Sequence, residues 1–147
     1  MQSLERIDAS CHCGNIRFDL QWPIDAEEIA VRSCGCFFCV KHAGAWTSNR
    51  NSILTVKISD PSSISKYQFG TKSADFYVCG VCGVVPLVVS DIEGTLYAVV
   101  NVNTFANLGK LKTSTTSTDF DGEETGSRLE RRQRNWIPGV IFDEATT

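Results

Sequence analysis

Seven cysteines fall into three tight groups, and none stands alone. Cys11 and Cys13 make C-x-C in "SCHCGNIRF". Cys34, Cys36 and Cys39 make C-x-C-x-x-C in "RSCGCFFCVKH", and Cys79 and Cys82 make C-x-x-C in "VCGVCGVV". An odd count in clustered positions argues against a disulfide framework and for metal-held or reactive thiols. Zn²⁺ favours thiolates: a structural site fills its tetrahedron with four, and a catalytic site keeps one corner open. The simplest partition is four plus three. Cys11, Cys13, Cys79 and Cys82 would close a structural zinc site whose binding energy is folding energy. Cys34, Cys36 and Cys39 would hold a second zinc with an open position for a water or a substrate thiol. Those three are candidate catalytic residues, because coordination delivers a thiol as its nucleophilic thiolate.

Other readings of the central trio stay open. It could be a metal-free or redox-active thiol cluster, or a histidine could close it. His12 lies between two candidate ligands, where its side chain would point away. His42 follows Cys39 closely and could ligate or, titrating near neutrality, shuttle protons. Trp46, Phe37 and Phe38 could wall a pocket beside the trio, or simply be core. Lys41, Arg50 and Lys72 are the candidate cations for an anionic substrate group.

Positioning these groups falls to short β-type runs with alternating side chains. Strands are expected at Asn15–Leu20, Ile29–Ser33, Ile53–Ile58, Ile64–Phe69, Phe76–Cys79, Pro86–Ser90 and Leu96–Val102. No long window reads as an amphipathic helix; short helical turns are expected after Cys39 or near Asn103–Leu108. Glycines after the cysteines (Gly14, Gly80, Gly83) suit the tight turns on which paired ligands sit. From about 110 to 127 the chain is polar and Ser/Thr-rich and reads as a loop. In the tail that follows, Arg128, Arg131, Arg132 and Arg134 read as a solvated basic face. Asp119, Asp121, Glu123 and Glu124 nearly cancel its charge, and Trp136 and Pro138 should pack the tail back on the body.

The chain has 147 residues, 42% hydrophobic and 21% charged, which fits a single domain over 1–147 with its own core. A net charge of −3 disfavours nucleic-acid or membrane-surface partners. No apolar run is long enough to span a bilayer and the N-terminus lacks a signal-peptide core, so a cytoplasmic protein is expected.

The ordered set "CHCGNIRF", "CGCFFCVKHAGAW", "FYVCGVCGVV" and "YAVVNVNTF" resembles the glutathione-dependent formaldehyde-activating enzyme family, including its carbon–sulfur lyase-like members. The resemblance covers about Ser10 to Asn107. It implies a small folded-over antiparallel β fold of the β-tent kind, similar to zinc-bearing Rab exchange factors and B-type methionine sulfoxide reductases. It also implies structural zinc on Cys11, Cys13, Cys79 and Cys82, and catalytic zinc on Cys34, Cys36 and Cys39. The implied activity joins formaldehyde to a thiol substrate, glutathione, to give S-(hydroxymethyl)glutathione, in a monomer or homodimer. Use of the related fold in exchange factors makes a non-catalytic zinc module for protein binding the alternative.

Overall fold

The computed structural model describes residues 4–23, 28–118 and 123–144, and they form a mainly β protein of two sheets. The first sheet has four strands: β1 (Leu4–Ser10), β2 (Ile16–Pro23), β5 (Ile53–Ile58) and β12 (Ile141–Glu144), in the order β1-β2-β5-β12. The second follows the order β10-β3-β4-β9-β8-β7-β6. Its strands are β3 (Ile29–Cys34), β4 (Ala45–Thr47), β6 (Ile64–Tyr67), β7 (Asp75–Cys79), β8 (Leu87–Ile92), β9 (Thr95–Asn101) and β10 (Thr113–Thr118). A short β11 (Ile137–Pro138) pairs with β9 off that path. Two α-helices, α1 (Phe37–His42) and α2 (Thr125–Asn135), and three short 3-10 turns, Pro61–Ser63, Val102–Thr104 and Leu108–Lys110, complete the described elements.

Alternation in β2 explains the first layer. Ile16, Phe18, Leu20 and Trp22 are buried while Arg17 and Gln21 face water. Leu54, Val56 and Ile58 of β5 pack beside them and meet Val31, Leu87, Val89, Ala98, Val100 and Ile137 of the second sheet. Each such side chain contributes roughly 1.5–3 kcal/mol by leaving water.

The second sheet is covered on both faces, and this positions the site. On β8, Leu87, Val88, Val89 and Ser90 are all buried, as in strands sandwiched between two layers. Leu87 and Val89 face the first sheet. Val88 and Val99 turn the other way, into a smaller core with Cys36, Cys39, Trp46, Ala74, Val85 and Trp136.

The antiparallel expectation holds for most pairs, but both late strands dock in parallel, β10 on β3 and β12 on β5. The stretch read as a polar loop contains β10, "TSTTST", whose threonines are strand formers although its first five residues are exposed. Asp119 and Asp121 lie outside the described residues. Strand β1, with three exposed charges, shows too little apolar alternation to be read in advance. Trp136 and Ile137 are buried, so the tail does pack back.

Candidate functional site

The outer cysteines converge across the two sheets. Cys11 and Cys13 sit on the turn between β1 and β2 of the first sheet, and Cys79 ends β7 of the second. The sulfurs of Cys11, Cys13, Cys79 and Cys82 all lie within 4.8 Å of one another. Cys13 and Cys79, 66 residues apart, bring their sulfurs to 3.5 Å, and Cys11 and Cys13 to 3.8 Å. A tetrahedral zinc–thiolate site has S···S edges of about 3.8 Å, given Zn–S of about 2.3 Å. The donor set therefore fits zinc.

Backbone N–H groups support these sulfurs. Ile16 N donates to Cys11 Sγ at 3.4 Å and Cys82 N to Cys79 Sγ at 3.5 Å. Gly83, at φ +82°, turns the chain back so that its N–H reaches Cys79 O at 2.9 Å. Burial raises the Cys82 thiol, but the backbone N–H groups of Val84 and Cys13 outweigh it and bring it down to about 6. The Asn15 backbone lowers Cys13, yet hydrogen bonding to Cys79 and burial hold it up at about 11. Once one thiol of this crowd ionises the rest resist, and a dication is what lets all four be thiolates.

The central trio forms the second cluster, with the sulfurs of Cys34, Cys36 and Cys39 also mutually within 4.8 Å. Cys34 ends β3, Cys36 caps α1 and Cys39 lies inside that helix. Cys36 Sγ accepts the Cys39 N–H at 3.4 Å, so the capping bond and the ligand geometry are one arrangement. Ala43 in the left-handed region ends the helix, and the Gly44 N–H returns to Cys39 O at 2.9 Å. Trp46 Nε1 donates to Cys39 Sγ at 3.3 Å. Hydrogen bonding with Cys34, then burial, pushes the Cys39 thiol well up; burial raises Cys36. Cys36 and Cys39, crowded against Cys34 and partly desolvated, hold their protons unless a cation joins them, so this donor set also fits zinc, with one ligand fewer.

A cavity of 330 Å³ opens against the trio, and Cys34, Cys36, Cys39, Trp46, Phe76 and Trp136 are among its walls. Part of its lining is basic: Arg32 of β3 and Arg128, Arg131 and Arg132 of α2 line it, with Glu123. Glu123 accepts from Arg131 at 3.1–3.3 Å through both carboxylate oxygens. Arg132 is 6% exposed, stacks 4.8 Å from the Trp136 ring, and donates from Nη1 to Ser73 O, Ser73 Oγ and Ser90 Oγ at 2.9–3.1 Å. Burial, then the charges of Arg128 and Arg131, brings its pKa down to about 10.

All seven cysteines are thus brought together in the two expected sets. His42 is not: its ring stacks on Phe38 at 4.4 Å, outside the three-thiol cavity, and lines a second cavity beside Gly44 and Gly83. His12 belongs to neither thiol cluster. Trp46 does wall the cavity, but Phe37 is 83% exposed. Phe38 instead buttresses Phe69 and Phe76, which do line it. The cations at the cavity are not Lys41, Arg50 and Lys72 but Arg32 with Arg128, Arg131 and Arg132 of α2, so the expected solvated face fails for those three while Arg134 is exposed as expected. Arg32 was legible: two residues before Cys34 on one strand, it shares that face. Arg128, Arg131 and Arg132 share one helix face by spacing, but no sequence rule says what the face meets.

Two comparisons bear on this geometry. The sequence family described as glutathione-dependent formaldehyde-activating enzyme matches residues 6–120. A crystal structure of a Rhodobacter sphaeroides protein is similar in fold, with TM-score 0.53 and 24% identity over 73% of this chain and 99% of that one.

Proposed function

Because the chain belongs to the glutathione-dependent formaldehyde-activating enzyme family, we propose that the three-thiol cavity makes or breaks a carbon–sulfur bond between a thiol and formaldehyde. The observation that carries this reading is the convergence of Cys34, Cys36 and Cys39 within 4.8 Å at the wall of a 330 Å³ cavity. In the forward direction the thiol sulfur bonds to the carbonyl carbon. The carbonyl π pair moves to oxygen, which takes up a proton, and the thiol proton is released. With glutathione the product is S-(hydroxymethyl)glutathione; run backwards, the reaction is a carbon–sulfur lyase.

Cys34, Cys36 and Cys39 would hold zinc, and Cys11, Cys13, Cys79 and Cys82 a structural zinc. When bound to the trio, zinc supplies Lewis-acid charge stabilisation and a lowered thiol pKa. Trp46 fixes the Cys39 sulfur through its N–H. Trp46, Phe76, Val88, Val99 and Trp136 form an apolar wall that excludes water around the reacting atoms. His42 does not line the three-thiol cavity among the described residues, and we assign it no proton-shuttle role. The same proposal takes residues 1–147 as one domain and the cytoplasm as its compartment, where seven free thiols stay reduced.

Exchange of ¹³C-formaldehyde with glutathione, followed by NMR in the presence of zinc-loaded protein, tests the reading. We expect exchange well above the spontaneous rate. Exchange equal to the protein-free control overturns it.

A further inference from the structure

The apolar part of the cavity lining carries an inference about what the thiol site selects. Phe76 on β7, Val88 on β8 and Val99 on β9 stand opposite one another in the strand register, so they form one row across three strands. Trp46, Phe69 and Trp136 line the cavity with them. Cys36 and Cys39 pack in the same buried apolar cluster as Trp46, Val88, Val99 and Trp136, so two of the three sulfurs sit among hydrocarbon. Trp46 gives its N–H to Cys39 Sγ, and what it offers a ligand is its carbon face. Thr71 and Ser73, also in the lining, bond to each other at 2.7 Å. Formaldehyde brings a single carbon to a cavity of 330 Å³, where one water takes about 30 Å³. An apolar wall of this extent is more than one carbon can cover, and amide groups laid against it would lose water without gaining partners.

We propose that the cavity takes a carbon–sulfur adduct bearing an apolar arm, aliphatic or aromatic, next to the reacting bond, and that Phe69, Phe76, Val88, Val99 and Trp136 receive that arm. The proposal rests on the thiol chemistry proposed above and names its substrate class. The step is unchanged: the thiol sulfur bonds to the carbonyl carbon, the carbonyl π pair goes to oxygen, which takes up a proton, and the thiol proton is released. An arm on that carbon, or on the sulfur, starts in the buried cluster that holds Cys36 and Cys39. Each methylene it buries there strengthens binding about fourfold. Val88 and Val99 are β-branched and fixed on paired strands, so the wall is preformed and binding costs it little ordering.

The test runs two series on the zinc-loaded full chain. One keeps mercaptoethanol as the thiol and compares hexanal with acetaldehyde. The other keeps formaldehyde as the carbonyl and compares hexanethiol with ethanethiol. The kcat/KM should rise about tenfold or more with the longer chain in at least one series, and that series shows which partner brings the arm. A flat response in both overturns the proposal and leaves the thiol chemistry standing. Trp46 and Trp136 line the cavity, so tryptophan fluorescence also reads the binding of hexanol against ethanol without any reaction. Tighter binding of hexanol, with no catalysed reaction in either series, supports the apolar site and overturns the thiol chemistry instead. Equal binding of the two alcohols overturns the apolar site. Val88→Thr should cut the chain-length preference severalfold. Phe69→Ala, in the segment between β6 and β7, should do the same and guards against a buried Val88 variant that fails to fold. A preference unchanged in both variants overturns the placement of the arm.

Discussion

Trp46 donates its indole N–H to the sulfur of Cys39 at 3.3 Å, and the space it occupies exists because residue 44 is glycine. A Cβ on Gly44 would lie 2.7 Å from the same indole nitrogen. Two chain-adjacent choices thus aim one ligand of the central cluster. Hydrogen bonds to a ligand typically change metal affinity about 10–100-fold. Trp46→Phe and Gly44→Ala should both weaken zinc at the trio by that order, read by chelator competition, while leaving the four-thiol site intact. Unchanged competition curves in both variants contradict the role given to this contact.

Ser90 joins the arginine wall to the sheet. Its hydroxyl, fully buried on β8, donates to Ser73 O at 2.7 Å and accepts from Arg132 at 3.1 Å. Ser90→Ala removes one hydrogen bond from each partner while Arg132 still reaches Ser73, so the loss should be about 1 kcal/mol. Urea unfolding should show that loss, and Ser90→Thr should recover part of it. A variant as stable as wild type means that water replaces the hydroxyl without cost.

Asp60 clamps the turns that carry the four-thiol site. Its backbone pairs with the Asn15 side chain, beyond the first cysteine pair, and its carboxylate accepts from Ser62 and Ser63. Ser63 O in turn takes the Gly80 N–H at 2.7 Å, between Cys79 and Cys82. The serine hydrogen bonds hold the Asp60 carboxyl below its ordinary 3.8. A lowered folded-state pKa stabilises above the unfolded value and is lost as pH falls through the folded one. Asp60→Ala should therefore melt below wild type at neutral pH, with the gap closing below 3.8. A gap that is constant with pH contradicts the assignment to the carboxylate.

The two thiol clusters were legible in the sequence because ligand spacing is local: Cys34, Cys36 and Cys39 nearly define their own site. Pairing Cys11 and Cys13 with Cys79 and Cys82 needed only counting. The central strands were legible because apolar alternation in "NIRFDL" and "ILTVKI" reports one buried face. Strand β10 was not, since its signal is threonine β-branching without a hydrophobic face. Arg128, Arg131 and Arg132 of α2 were misread for a related reason. A charged helix face normally meets water, and its burial against Trp136 and Ser90 is set by tertiary packing alone.

The central claim is that Cys34, Cys36 and Cys39 form a metal-held reactive site distinct from the structural one. Zinc per chain, measured beside S-(hydroxymethyl)glutathione formation in wild type and Cys36→Ser, tests it most directly. The account predicts two zincs falling to about one, a retained fold, and product formation reduced to the spontaneous rate. A Cys36→Ser protein that keeps both zincs and full activity, or that unfolds as Cys79→Ser should, contradicts it.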